Sequence, residues 1–388
     1  MKLSGIRVLD LSQYLPGPHA TMTMADHGAD VVMIEPANGT GEPTRAIGYR
    51  SHGESVWFRN IARGKRSLKL DLKHPRGKAL FLALARRADV IVEAFRPGVV
   101  HRLGIDYATV AALNPRIVYC AISAFGQTGP WRDRPAHDLV VQGLAGTVDL
   151  ARGLTDDLPS APNMPASDVT ASLTALAAIA MALFQRERTD RGDYIDIAMY
   201  DSLLAWTPNV TGPVFAEGRA PVPKAMRSFG GQAMNRIYAC ADGQHLLLGG
   251  SEVKFAERLL AALGRPDLVP YAAIEPGPAQ EPLTTFLAAT FARQPRSHWE
   301  AFLAPLDICW APVRTLKDAF DDPHTEQRGL LLRDAHGAPH IGPAIKFAHE
   351  PAQPRLTTPA YGADGEALAR EAGLPDEDTA ALRAGGVL

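Results

Sequence analysis

Hydrophobic and polar positions change period along this chain. The runs "IRVLDLS", "ADVVMIEP", "SLKLDL", "DVIVEAF" and "RIVYCAISAFG" have the length and the Val/Ile/Leu content of strands. Between them, "HATMTMADHG", "HPRGKALFLALARRA" and "YATVAALN" repeat apolar positions at helical spacing. The first of these helices ends at Gly28. The second carries Pro75 in its first turn, where a missing N–H breaks no helical bond. Strands alternating with helices predict an α/β fold with a parallel sheet.

The pattern changes after "GDYIDIAMYDSLLAW". A polar, Pro-rich stretch from Thr207 to Met226 reads as a linker. The next segment, "NRIYACADGQHLLLGG", reads as two strands joined at Asp242-Gly243, a hairpin signal. Helical segments follow in "EVKFAERLLAALG" and "PLTTFLAATFARQ". From about Phe320 the chain is loop-rich, and it closes with the short helices "DGEALAREAG" and "EDTAALRAGG". The predicted organisation is a large domain over 1–206, a linker over 207–226, a small domain over 227–319 and a C-terminal segment over 320–388.

The most apolar stretch, "MPASDVTASLTALAAIAMALFQRER", opens with Ser167 and Asp168, where a helix needs a cap. Its apolar centre, Leu173 to Phe184, is shorter than a bilayer span, so no membrane partner is expected. The start, "MKLSGIRVLDLS", is a strand pattern without a signal-peptide core, and a cytoplasmic protein is expected.

Composition narrows the function classes. The 388 residues suffice for two domains. A formal charge of -2 excludes a general nucleic-acid binder. Cys120, Cys240 and Cys309 lie far apart in hydrophobic runs and read as reduced core cysteines, with no metal-ligand spacing. Arg63, Lys65 and Arg66 cluster on one loop, and Arg96 and Arg102 flank a Gly-containing turn on another. Glycine lets the backbone approach a ligand and arginine can fork onto phosphate, although solvated surface arginines look the same. The first loop, "LPGPHATM", lacks the dinucleotide glycine pattern, and Pro16 and Pro18 stand where N–H donors would be needed. That argues against a nicotinamide or flavin cofactor.

Several stretches together carry a resemblance. These are "GIRVLDLSQYLPGPHATMTMADHGADVVMIEP", "RGKRSLKLDLKHPRG", "ADVIVEAFRPGVVHRLGI", "NPRIVYCAISAFGQTGP", "RPAHDLVVQGLAG", "RERTDRGDYIDIAMYDSL", "ICWAPV" and "IGPAIKF". Taken in order over nearly the whole chain, they resemble the family III CoA-transferases (the CaiB/BaiF family), which also holds the 2-methylacyl-CoA racemases. The chain departs from that pattern at Asp190 and Asp193, where the family usually has Gly and Gln. The resemblance implies a Rossmann-like large domain with a parallel sheet, built from both chain ends, and a smaller α+β domain. It also implies a homodimer of interlocked rings. A CoA thioester is implied as substrate, with a small carboxylic acid as acceptor and no tightly bound cofactor. Leu15, Pro16, Leu72, Ala94, Phe95, Arg96 and Arg102 are the implied CoA contacts.

Asp168 is the implied catalytic residue. At a helix N-terminus it faces free N–H groups and the positive end of the dipole, which favours an ionised nucleophile or base. In the transferase reading, Asp168 becomes acylated, and Gly230, Gly231 and Gln232 in "SFGGQAM" resemble the loop that shields the adduct from water. In the racemase reading, Asp168 and His137 exchange a proton at the α-carbon on opposite faces, with Glu252 supporting the histidine. "PASDVTAS" resembles the transferases and "AHD" the racemases; CoA transfer is the expected reaction and racemisation the alternative.

Overall fold

The computed structural model describes residues 1–152, 158–222 and 225–388. Residues 223 and 224 of the expected linker lie outside the described residues. The chain divides into two units. The larger comprises Met1–Ala145, Asn163–Trp206 and Asp322–Leu388, so both chain ends build it. The smaller comprises Gly146–Pro162 and Thr207–Asp321.

The large unit is organised by a six-stranded parallel sheet. Its strands are β1 (Arg7–Asp10), β2 (Asp30–Pro36), β3 (Arg66–Leu70), β4 (Val90–Glu93), β5 (Val118–Ser123) and β6 (Tyr194–Ala198). They lie in the order β3-β2-β1-β4-β5-β6, that of a doubly wound dinucleotide-binding sheet. Register sorts the side chains. Val8 pairs with Val31 and with Val90, and Val90 with Val118. One residue further, Leu9 pairs with Val32 and with Ile91, and Ile91 with Tyr119. The period of two sends the two sets into separate cores on opposite faces.

The valine face is covered by α1 (Pro16–Asp26) and by the long helix α4 (Ala166–Thr189). On α4, Ala171, Ala175, Ile179 and Leu183 recur every four residues and are buried in that core. The helix is 24 residues long, long and apolar enough to cross a membrane by length and composition. This corrects the expectation of a short apolar segment: the helical stretch extends past the Leu173–Phe184 run at both ends. The leucine face is covered by α2 (Pro75–Ala85) and by the C-terminal helices Gly365–Glu371 and Asp376–Ala384, through Leu80, Phe81, Leu84, Leu368 and Leu382.

In the small unit, β7 (Asn235–Ala239) and β8 (His245–Gly249) form the hairpin expected from Asp242-Gly243. Gly243 has φ 74°, a conformation only glycine adopts without cost. Trp310–Pro312 adds a third antiparallel strand. Helices α5 (Val253–Ala262) and α6 (Glu281–Phe291) bury Leu259, Leu260, Leu283, Leu287 and Phe291 in a core with Leu246 and Leu248. Cys120 and Cys240 are buried, whereas Cys309 is exposed, contrary to the reading of all three as core residues.

Candidate active site

The strand order reverses between β1 and β4, and ligands of such sheets bind outside the carboxyl ends of the strands at that reversal. The loop after β1 holds its course through a buried network. Lys65 Nζ donates to Asp10 Oδ2 (3.0 Å), Thr21 Oγ1 (2.8 Å) and the Pro18 carbonyl (2.9 Å). The Tyr14 N–H donates to Glu42 Oε1 (2.8 Å), which holds Tyr14 at φ 64°, an uncommon backbone for a side chain. Gly17 passes so close to Ser12 that a Cβ there would lie 2.2 Å from Ser12 Cβ. After β4, the Phe95 N–H donates to Glu93 Oε2 (2.7 Å).

These loops border a cavity of about 380 Å³ that is lined by residues from six chain segments. Tyr14 and Pro16 come from the first loop, Ala94, Phe95 and Arg96 from the second. Arg132, Arg134 and His137 come from the loop before α3 (Asp138–Leu144), and Asp168 from the first turn of α4. A second cavity of about 360 Å³ lies along the ends of β1, β2 and β3 and contains Leu72 and Lys73. Gln13 and Phe95 border both.

Asp168 is the third residue of α4, and Pro165 stands at the cap position without a capping side chain. The cap comes from elsewhere. Asp138 Oδ1 accepts from the Ser167 N–H (2.9 Å), the Ser167 hydroxyl (2.7 Å) and the Asp168 N–H (3.2 Å). Gln142 Nε2 donates to the other Asp138 oxygen (2.6 Å) and to the Met164 carbonyl (3.0 Å). The anion at the N-terminus of α4 is therefore Asp138. Burial, and next the Asp138 charge, push the Asp168 carboxyl up to about 7. This corrects the expectation that the helix end keeps Asp168 ionised: another carboxylate already occupies that end.

The remaining site residues fall into three groups. Pro16, Ala94, Phe95, Arg96, His137 and Asp168 share the first cavity, and Leu72 lies on the second. Leu15 and Arg102 border neither cavity. Gly230, Gly231, Gln232 and Glu252 belong to the small unit. There, the Gly231 carbonyl accepts from the Gly277 N–H (2.8 Å), Gln232 is buried, and exposed Glu252 precedes α5. His137 precedes α3 and meets the Tyr14 ring edge-on at 5.9 Å.

The cluster of Arg63, Lys65 and Arg66 is not a phosphate grip. Arg63 forks onto Asp26 (3.0 and 2.6 Å), Lys65 pairs with Asp10, and Arg66 pairs with Glu371 (2.7 Å). Arg96 makes no such pair among the described residues and is exposed at the first cavity. Sequence reading passed over Tyr14, Arg132, Arg134 and Asp138. The last stood in plain view as "AHD", but an acidic residue opening a helix reads as a partner for its own helix, not for one 28 residues further on.

A doubly wound sheet whose switch-point cavity combines arginines, a histidine and a carboxyl group with no side-chain hydrogen-bond partner among the described residues defines an α/β enzyme architecture. The family model of CoA-transferase family III matches residues 3–365, and the chain belongs to that family as an enzyme. It is 32% identical over 382 residues to the acetyl-CoA:oxalate CoA-transferase of Acetobacter aceti, covering 96% of each chain. It is 31% identical over 387 residues to the alpha-methylacyl-CoA racemase of Homo sapiens, covering 97% of this chain and 95% of that one. A CaiB/BaiF family protein from Brucella suis matches the fold with a TM-score of 0.82 at 28% identity, over 95% of this chain and 99% of that one.

Proposed function

We propose that the chain transfers CoA from an acyl-CoA to a small carboxylic acid through an adduct on Asp168. The observation that carries this reading is the Asp168 carboxyl on the cavity wall, with the capping duty of its helix taken over by Asp138. In the proposed sequence, the ionised carboxylate attacks the thioester carbonyl, the C–S bond breaks, and CoA leaves as thiolate. The thiolate then attacks the Asp168 carbonyl of the mixed anhydride, releasing the donor acid and leaving an aspartyl-CoA thioester. The acceptor carboxylate displaces the thiolate to form its own anhydride with Asp168. Thiolate attack on the acceptor acyl carbon gives the new acyl-CoA and frees Asp168. Each step exchanges one acyl leaving group for another. CoA lies along the two adjoining cavities, with Arg96 facing its anionic part; the part given to Gly230, Gly231 and Gln232 rests on the family resemblance alone.

The presence of His137 on the same cavity supports a second reading, racemisation of a 2-methylacyl-CoA by Asp168 and His137. One experiment separates them. Incubation with acyl-CoA and hydroxylamine should leave a hydroxamate on the Asp168 peptide, read by mass spectrometry. Deuterium uptake at the α-carbon with no hydroxamate would overturn transfer and establish the racemase reading.

The functional form is a homodimer, interlocked as the family resemblance implies. Supporting this, α4 is apolar on its outer side too: Leu173, Met181 and Phe184 are 40%, 65% and 62% exposed. A second copy would cover that face. Sedimentation over decreasing concentration should show one dimeric species, and folded monomer in reversible equilibrium would exclude interlocking.

A further inference from the structure

We propose that Asp138 is a positioning residue that clamps the first turn of α4, aims the Asp168 carboxyl at the cavity and holds a negative charge beside it. The inference rests on Asp168 being the reacting group. One Asp138 oxygen receives three donors from Ser167 and Asp168, and the other is held by Gln142, which also ties down Met164 just before α4. His137 and Asp138 are consecutive, so this clamp couples the start of α3, where His137 stands, to the start of α4, where Asp168 stands. An ordinary capping side chain belongs to its own helix and leaves the rest of the site untouched. Here the cap is a carboxylate from another helix, and its charge lies beside the carboxyl whose proton must leave before attack. The other titratable or charged groups facing Asp168 across the cavity are Tyr14, Arg96, Arg132, Arg134 and His137. On α1, His19 bonds Ser172 of α4 through Nδ1 (2.8 Å).

Asp138→Asn separates the two roles. It keeps an acceptor oxygen for the three donors, and a flipped Gln142 amide can face its NH2 group, but the charge is gone. In protein labelled with ¹³C at the aspartate carboxyls, with Asp168→Asn for assignment, the Asp168 midpoint should lie near neutrality. In Asp138→Asn it should fall toward the ordinary carboxylate range, and the acid limb of kcat/KM should move to lower pH with it. Asp138→Ala loses the clamp as well, and kcat should fall by about 100-fold with KM for acyl-CoA unchanged. An unmoved Asp168 midpoint in Asp138→Asn overturns the proposal. So does a midpoint in the ordinary range in the unaltered protein, a measurement that does not depend on the variant folding. A near-neutral midpoint that moves as stated, without any hydroxamate on Asp168, refutes transfer and leaves the role of Asp138 standing.

Discussion

Asp168→Asn should inactivate the enzyme and at the same time stabilise it, by an amount that depends on pH. An aspartate ionises ordinarily at 3.8, and in the folded chain Asp168 is lifted to about 7 by burial and by Asp138. Between those values the folded state holds a proton that the unfolded state has released, so stability falls as pH rises through the window. The cost is absent below the lower value and complete above the upper one. Three pH units at about 1.4 kcal/mol each put it at about 4 kcal/mol, an upper bound because the carboxyl keeps a solvent-facing edge on the cavity. Asparagine has nearly the same shape and no charge, so the variant escapes that cost. It should exceed the parent by about 2–4 kcal/mol near pH 8, and by only about 1 kcal/mol near pH 4.5. The assay is urea unfolding of both proteins, followed by far-UV circular dichroism at matched concentration across that range. A difference that stays constant with pH, or a variant less stable than the parent near pH 8, would refute the reasoning. A gain in stability with loss of activity is the trade expected where a functional group is held in an unfavourable state.

Lys65→Met should destabilise the chain by about 3–5 kcal/mol, because it leaves the Asp10 carboxylate buried without its cation. Thermal unfolding measures this, and adding Asp10→Asn should recover part of the loss; a single variant as stable as the parent would show that the pair contributes nothing. Arg96→Ala should weaken CoA binding by about 1.5–3 kcal/mol, roughly 10- to 150-fold in Kd. Titration calorimetry reads it, and an unchanged affinity removes Arg96 from the site.

Much of the large unit was legible from local pattern. Branched apolar runs became β1 to β5, and the Asp242-Gly243 turn became a hairpin, because the interactions that select a strand or a turn lie within a few residues. Helix α1 begins earlier than its apolar spacing suggested, since Pro16 and Pro18 fit a first turn, which needs no N–H donors. Asp168 could be singled out, yet its protonation could not, because that depends on burial in the folded chain and on a carboxylate 30 residues away in sequence. The same limit applies to the cations. Arg63, Lys65 and Arg66 look alike on one loop, but Asp26, Asp10 and Glu371 claim them from separate elements. The sequence by itself determined which segments are strands and helices and which residue types could carry chemistry, since periodicity is a property of neighbours along the chain. Only the tertiary structure decided which charges are paired and buried and which face the cavity. That depends on the strand order, which brings the ends of β1, β4 and β5 together with the first turn of α4.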